Sequence, residues 1–419
     1  MTQTPAEESE TPGVVSRRGF LASAGVVSSY VAAGVAGFAG GALTVNAAQA
    51  STPEKEAQLR AGQQSATIPF YGEYQAGIMT PLQSYGTYMA FTLNPSTTLS
   101  QARSMMQLLT DDAARLGKGK PTLPDGEPYL ATEPARLTST FGFGPGFFTK
   151  LGLQGSIPAG FTELPSFSID KLQPEFSGGD LVIHVGADNP LTVAHAARQL
   201  SRTAHTFAEP AWSQSGFNRP QYGVASDQTG RNLFGQVDGT VNPRSAKEFD
   251  SQVWATSGPQ WFRDGTCLVV RRIQMDFAGW DKLDDTKKET AMGRNLHNGA
   301  PLTGTKEFDT PDLKATYENG MPVIASFAHV RRAKTDNPAE KFLRRPLNYE
   351  DGLLPSGEPN AGLIFAAYMT DIQKQFVPVQ QRLADLDLMN TWTTPIGSAV
   401  FALPPGCQPG GYIGEGLLG

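Results

Sequence analysis

Twice along this chain, stretches that read as strands and stretches that read as helices come round in similar order. That doubled pattern limits the folds open to it. In the first series Thr87 to Leu93 reads as a strand, and Met105, Leu108, Leu109 and Ala113 recur at helical spacing between Thr98 and Leu116. A strand from Asp180 to Val185 and a helix from Leu191 to Phe207 follow. The second series runs strand Thr266–Met275, helix Asp285–Arg294, strand Val323–Val330, strand Gly362–Tyr368, helix Asp371–Leu386 and strand Ser398–Leu403. The expectation is an α+β chain of two halves with a seam near residues 210–225, giving an N-terminal half over 68–222 and a C-terminal half over 223–419. No motif aligns between the halves, so the repeat lies in the order of elements alone.

A length of 419 residues suits two domains or one composite domain, and 45 glycines and 31 prolines without a period point to many turns. The formal charge of −6 lacks the basic excess of a chain that grips nucleic acid. Two cysteines, Cys267 and Cys407, are too few for a zinc knuckle or an iron–sulfur ligand set, and spacing does not decide whether they pair.

The N-terminus carries Ser16-Arg17-Arg18-Gly19-Phe20-Leu21, an uncharged stretch to Val45 and then Ala48-Gln49-Ala50. This reads as a twin-arginine export signal over 1–50 with a cleavage site after Ala50; a membrane anchor is the competing reading of the uncharged run. Removing it takes out three acidic and two basic residues, so the acidic excess belongs to the folded part. Residues 51–67 are polar and aperiodic and read as a linker. Twin-arginine signals carry folded proteins, often loaded with a cofactor, which makes a cofactor an expectation here.

Most motif-like stretches have plain structural readings. Gly142 to Gly146 resembles a phosphate loop, but Pro145 removes an amide donor and no Lys-Ser/Thr pair follows, so an aromatic-packing turn explains it better. There is no G-x-S-x-G elbow and no H-E-x-x-H, and the five histidines are dispersed, which speaks against a multi-histidine metal centre unless distant residues assemble one and leaves one-histidine chemistry open. His329 lies in the apolar run Val323–Val330, read as a strand buried on both faces; taken alone, such a histidine is more often a satisfied core residue than a ligand. Asp238-Gly239 alone is an ordinary turn, and Lys341 to Pro346 alone a charged surface stretch.

Together these segments resemble the dye-decolourising peroxidase family, in its twin-arginine-exported, deferrochelatase-like branch. The likeness runs from Ile68 to Leu418. Its most specific element is Gly235-Gln236-Val237-Asp238-Gly239-Thr240, matching G-x-x-D-G-T. Ile68 to Gly77, Arg136 to Gly146, Leu268 to Ile273, Ala328 to Arg331, Phe342 to Arg345 and Gly362 to Phe365 support it in the same order. The resemblance implies two ferredoxin-like halves with antiparallel sheets, and one haem b held mainly by the C-terminal half. It implies His329 as iron ligand, Asp371 as acceptor for the other imidazole nitrogen, and Asp238 with Arg344 as the pair that works on hydrogen peroxide. Asn242 would position water or Asp238, and Arg331 would meet a haem propionate or form a structural ion pair. The implied activity is an exported peroxidase oxidising phenolic or dye-like aromatic reductants through a high-valent iron intermediate. Its partners are peroxide, those reductants and the twin-arginine machinery, not nucleic acid. The alternative is a deferrochelatase-like protein that binds haem or releases its iron. One departure is Tyr74, where the family often carries histidine.

Overall fold

The structure, a computed structural model, describes residue 62 and residues 65–218 and 229–419. The export signal, most of the 51–67 linker and the expected boundary at 222/223 lie outside the described residues.

Among the described residues nine strands form one antiparallel system: β1 (Tyr85–Leu93), β2 (Thr138–Phe143), β3 (Leu181–Ala187), β4 (Ala208–Phe217), β5 (Thr266–Met275), β6 (Leu343–Arg344), β7 (Leu347–Leu353), β8 (Pro359–Met369) and β9 (Thr393–Leu403). Their order is β5-β9-β2-β3-β1-β4-β7-β8-β6, and β8 also pairs with β5, so the sheet closes on itself. Pairing is dense within each half, as in Tyr88↔His184 between β1 and β3 and Val269↔Ala367 between β5 and β8. Between halves it is sparse: β2 meets β9 only at Phe143↔Ala402, and β4 meets β7 only at Phe217↔Asn348. The two ferredoxin-like sheets thus face each other and are stitched at both edges, which leaves few free strand edges.

Because side chains alternate across a strand, each sheet has an inner and an outer face. The inner faces meet in a core of Tyr88, Val182, Trp212, Val270, Ile364, Tyr368 and Phe401. On the outside of the N-terminal sheet, Met89, Phe91, Phe141 and Ile183 cluster with Met105, Leu109, Val193 and Leu200 from the helices Leu99–Leu116 and Pro190–Ala204. The first of these helices opens on a capping box in which Thr98 and Gln101 satisfy each other's backbone amides. Of its four expected core residues, Leu108 is 51% exposed and the others are buried. Residues 141–148 behave as the aromatic turn expected of them, with Phe143 stacked on Phe147 at 4.2 Å.

The expected strand Val323–Val330 does not form. Residues 323–328 follow turns, and His329 begins a short helix, His329–Ala333. Ile324 and Ala328 are buried as a uniform apolar run demands, but such a run has no period to distinguish a strand from a buried turn. Cys267 and Cys407 are both free and buried. Burial raises the Cys407 thiol to about 11, with Glu415 adding to it, and pushes Cys267 higher still, so neither is poised as a nucleophile. Tyr74 stacks on Trp254 at 4.1 Å beside the inner core.

The segment leading to β3 runs along the edge of β9, where its Lys171 and Gln173 amides bond the carbonyls of Pro395 and Ile396. Asp170 of this segment pairs with Arg271 of β5, a guanidinium only 1% exposed. Removing one partner of a buried pair leaves the other charge uncompensated, at a cost of about 3–5 kcal/mol. Asp170→Ala is expected to lose stability on that scale in urea unfolding; a change below about 1 kcal/mol, the range of an exposed pair, would show that Arg271 finds other compensation.

Candidate active site

The G-x-x-D-G-T segment folds as a small hairpin. Arg231 bridges to Val237, and Asn232 Oδ1 accepts from the amides of Phe234 and Gln236 across the turn. Gly235 and Gly239 have φ of +78° and +128°, conformations that disfavour other residues, so the two motif glycines follow from the backbone path around Asp238. The Asp238 amide donates to the Gly230 carbonyl, fixing the aspartate at the end of the hairpin.

Arg344 ends β6, whose backbone pairs with Ala367 of β8. Its Nη1 donates to Asp238 Oδ1 at 3.0 Å, with both side chains mostly buried. Asn242 makes no hydrogen bond to the Asp238 side chain. Its Oδ1 accepts from the Arg344 amide at 2.9 Å and its Nδ2 donates to the Arg344 carbonyl at 2.7 Å. The residue expected to position water or Asp238 therefore grips the backbone of Arg344, docking the hairpin onto β6. Asp238 also lines a narrow crevice with Asn218, Arg231, Asn348 and Leu363.

His329 presents a different pair. Its Nδ1 lies 2.5 Å from Asp387 Oδ2, and Asp387 Oδ1 accepts the Met389 amide at 3.0 Å, so both carboxylate oxygens are engaged. Asp387 is nearly inaccessible, whereas the imidazole is 31% exposed. Among the described residues nothing bonds His329 Nε2. Burial works against protonation of the ring, but the charge and hydrogen bond of Asp387 overcome it. Arg344 then opposes and Asp238 assists, and the net effect raises the pKa above the usual histidine value. The same balance places His329 within the electrostatic reach of the Asp238–Arg344 pair.

One expectation is corrected here, together with one of the two alternatives for Arg331. Asp371 is not the partner of His329: its Oδ1 accepts the Lys374 amide at 3.0 Å and its Oδ2 pairs with Lys374 Nζ at 2.8 Å, capping the turn Ile372–Phe376. Asp387, at the other end of the following helix Val377–Leu386, holds the histidine instead. The sequence signal was an aspartate on each side of one helix, either of which suits a cap. Arg331 forms no ion pair among the described residues: its Nε and Nη2 donate to the carbonyls of Ile324 and Leu313, bracing the turns ahead of His329.

A histidine with one nitrogen fixed by a buried carboxylate and the other unpartnered is one that would hold haem iron, because the carboxylate sets the tautomer and orients the ring. The adjoining carboxylate–guanidinium pair supplies a proton acceptor and a fixed cation.

Comparison with known proteins agrees with this geometry. Residues 75–218 match the N-terminal domain model of Dyp-type peroxidases, and residues 229–408 the C-terminal one. A dye-decolorizing peroxidase of Thermobifida fusca is 35% identical, covering 96% of this chain and 97% of its own. A deferrochelatase of Escherichia coli is 32% identical over 84% of this chain and 87% of its own. Among solved structures, a DyP-type peroxidase from Cellulomonas bogoriensis superimposes with a TM-score of 0.83 at 43% identity, covering 85% of this chain and 99% of that one. Ferric DtpA from Streptomyces lividans gives 0.82 at 37%, covering 85% and 98%. The chain belongs to the Dyp-type peroxidase family.

Proposed function

We propose that this peroxidase uses His329 to hold haem iron and the Asp238–Arg344 pair to work on hydrogen peroxide, and that it is exported to oxidise phenolic or dye-like aromatic compounds. The observation that carries the proposal is the His329–Asp387 hydrogen bond, with Nε2 left unpartnered, in the same electrostatic neighbourhood as the Asp238–Arg344 ion pair.

Haem, when bound, supplies an iron that takes up peroxide and the two oxidising equivalents it carries. The protein's part is proton handling and orientation. Asp387 accepts the Nδ1 proton of His329, keeping the Nε2 lone pair available and making the ring a stronger donor. Asp238 is the base that removes a proton from one peroxide oxygen and returns it to the other as the O–O bond breaks. The Arg344 guanidinium, held by backbone bonds from Asn242, stabilises negative charge on the departing oxygen.

The relatives named deferrochelatase favour a second reading, in which the chain binds haem or releases its iron. That role needs His329 but not a working Asp238–Arg344 pair. Purified holoprotein supplied with peroxide and a phenol should turn over repeatedly with haem intact; iron release without catalytic turnover would favour the second reading.

Export rests on Arg17 and Arg18. Replacing both by lysine keeps the charge and removes the guanidinium groups, so it tests recognition, not electrostatics. The double variant is expected to accumulate inside the cell on fractionation, and unimpaired export would overturn the twin-arginine assignment.

A further inference from the structure

We propose that Glu307 is a positioning residue for Asp238: a single carboxylate oxygen that ties together the two legs of the Asp238 hairpin. The inference rests on the reading of Asp238 as the peroxide-handling carboxylate. Glu307 Oε1 accepts a hydrogen bond from Thr229 Oγ1 at 2.6 Å and from Thr240 Oγ1 at 3.0 Å. Thr229 precedes the hairpin's bridging pair, Arg231 and Val237, and Thr240 follows Asp238 by two residues.

The clasp meets a specific mechanical need. Between Asp238 and Thr240 stands Gly239, whose positive φ allows the sharp path but gives the chain more freedom than another residue would. The Asp238 amide is tied to Gly230, but Gly239 would let the aspartate swing relative to Arg344 unless the far side is also anchored. The Thr240–Glu307 bond anchors the chain directly after Gly239, ahead of the Asn242 grip on Arg344, and gives the threonine of G-x-x-D-G-T a physical task. The Thr229–Glu307 bond makes the same oxygen hold the near side.

Glu307 is itself braced. Arg294 Nη1 donates to its carbonyl at 3.0 Å and to the Gly299 carbonyl at 2.6 Å, and two residues on, Asp309 Oδ2 accepts the amides of Thr305 and Lys306. Burial lowers the Arg294 pKa, the charge of Arg344 lowers it further and Glu307 opposes both, so the brace lies within the electrostatic reach of Arg344.

The test uses holoenzyme carrying Glu307→Ala, Glu307→Gln, Thr240→Val or Thr240→Ser, read by amide hydrogen exchange over residues 229–242 and by kcat/KM for peroxide. Glu307→Ala and Thr240→Val should speed exchange in the hairpin and lower kcat/KM about tenfold, a modest share of what a misplacement near 1 Å can cost. Glutamine keeps an acceptor oxygen and serine keeps the hydroxyl, so both should stay within about twofold of the parent. In an Asp238→Asn background, Glu307→Ala should still speed exchange but cost no further activity, because the group it positions is already lost. Unchanged exchange in both Glu307→Ala and Thr240→Val would overturn the clasp. So would equal losses in the alanine and glutamine variants, or a full further loss of activity on top of Asp238→Asn. Should Glu307→Ala not fold, the Thr240 pair carries the same comparison. If Asp238→Asn alone proves harmless, the reading of Asp238 fails, while the exchange data still judge the clasp.

Discussion

Asp238→Asn is expected to lower kcat/KM for hydrogen peroxide by about 10² to 10⁴, the usual worth of positioned proton transfer, while haem content stays near that of the parent. The substitution preserves size and the possibility of a hydrogen bond from Arg344, so what it removes is the base. Arg344→Leu removes the cation and should fall in the same range. Its backbone contribution should survive, because Asn242 bonds the amide and carbonyl of residue 344, not its side chain. The two groups touch at 3.0 Å and act on one bond-breaking event, so the double variant should lose less than the product of the single losses. Rapid mixing with peroxide, before any reductant is added, isolates this step from aromatic oxidation. A loss below about tenfold in Asp238→Asn would remove it from the proton-transfer role and favour the haem-handling reading. Multiplicative losses would mean that the pair, though in contact, serves separate steps.

The parts of the fold visible in the sequence were those with an apolar run or a helical period. Helix Leu99–Leu116 and strands β1, β3, β5, β8 and β9 carry clear patterns, and each formed within a few residues of its expected range. Strands β2, β4 and β7 escaped, for different physical reasons. β2, Thr138–Phe143, is buried along its whole length but is built of Thr, Ser and Gly around two phenylalanines, so no apolar run marks it. In β4, Ala208–Phe217, a proline and several polar residues break the apolar rhythm, and β7, Leu347–Leu353, has a polar, exposed second half with no apolar run and gains its order from the hairpin it forms with β8. The closure of two sheets into one ring depends on two single bridges between residues more than 100 positions apart, which no local pattern announces. In the site, Asp238 and Arg344 stood out only through the family resemblance, since taken alone each lies in an ordinary turn or a charged stretch; the structure brings the two side chains to 3.0 Å. Asp387 and Glu307 did not stand out, since each is an ordinary helix-end or loop acid until the chain folds around its partner.

The contrast between Asp387 and Asp371 gives the sharpest test of the histidine centre. His329→Ala removes the only side chain proposed to hold the iron, so the variant should fail to retain haem through purification, and retention with an unchanged absorption spectrum would refute the assignment. Asp387→Asn is more informative because the ligand itself survives. Asp387 uses both oxygens, Oδ2 for His329 and Oδ1 for the Met389 amide, whereas an asparagine has one acceptor oxygen and would turn its NH2 toward one of these donors. Either the ring loses its Nδ1 partner or the turn Leu388–Thr391 loses its cap, and in both cases the negative charge that strengthens the imidazole is gone. Changes of this kind typically cost about 10- to 100-fold in affinity or activity, so haem transfer to an excess of a scavenging apoprotein should speed up by that order. Asp371→Asn provides the control. Asparagine caps a helix as well as aspartate, and the carboxylate's other partner is the exposed Lys374, so haem retention and activity should stay within about twofold of the parent. Faster haem loss in Asp371→Asn than in Asp387→Asn would return the histidine partnership to Asp371 and contradict the geometry around His329.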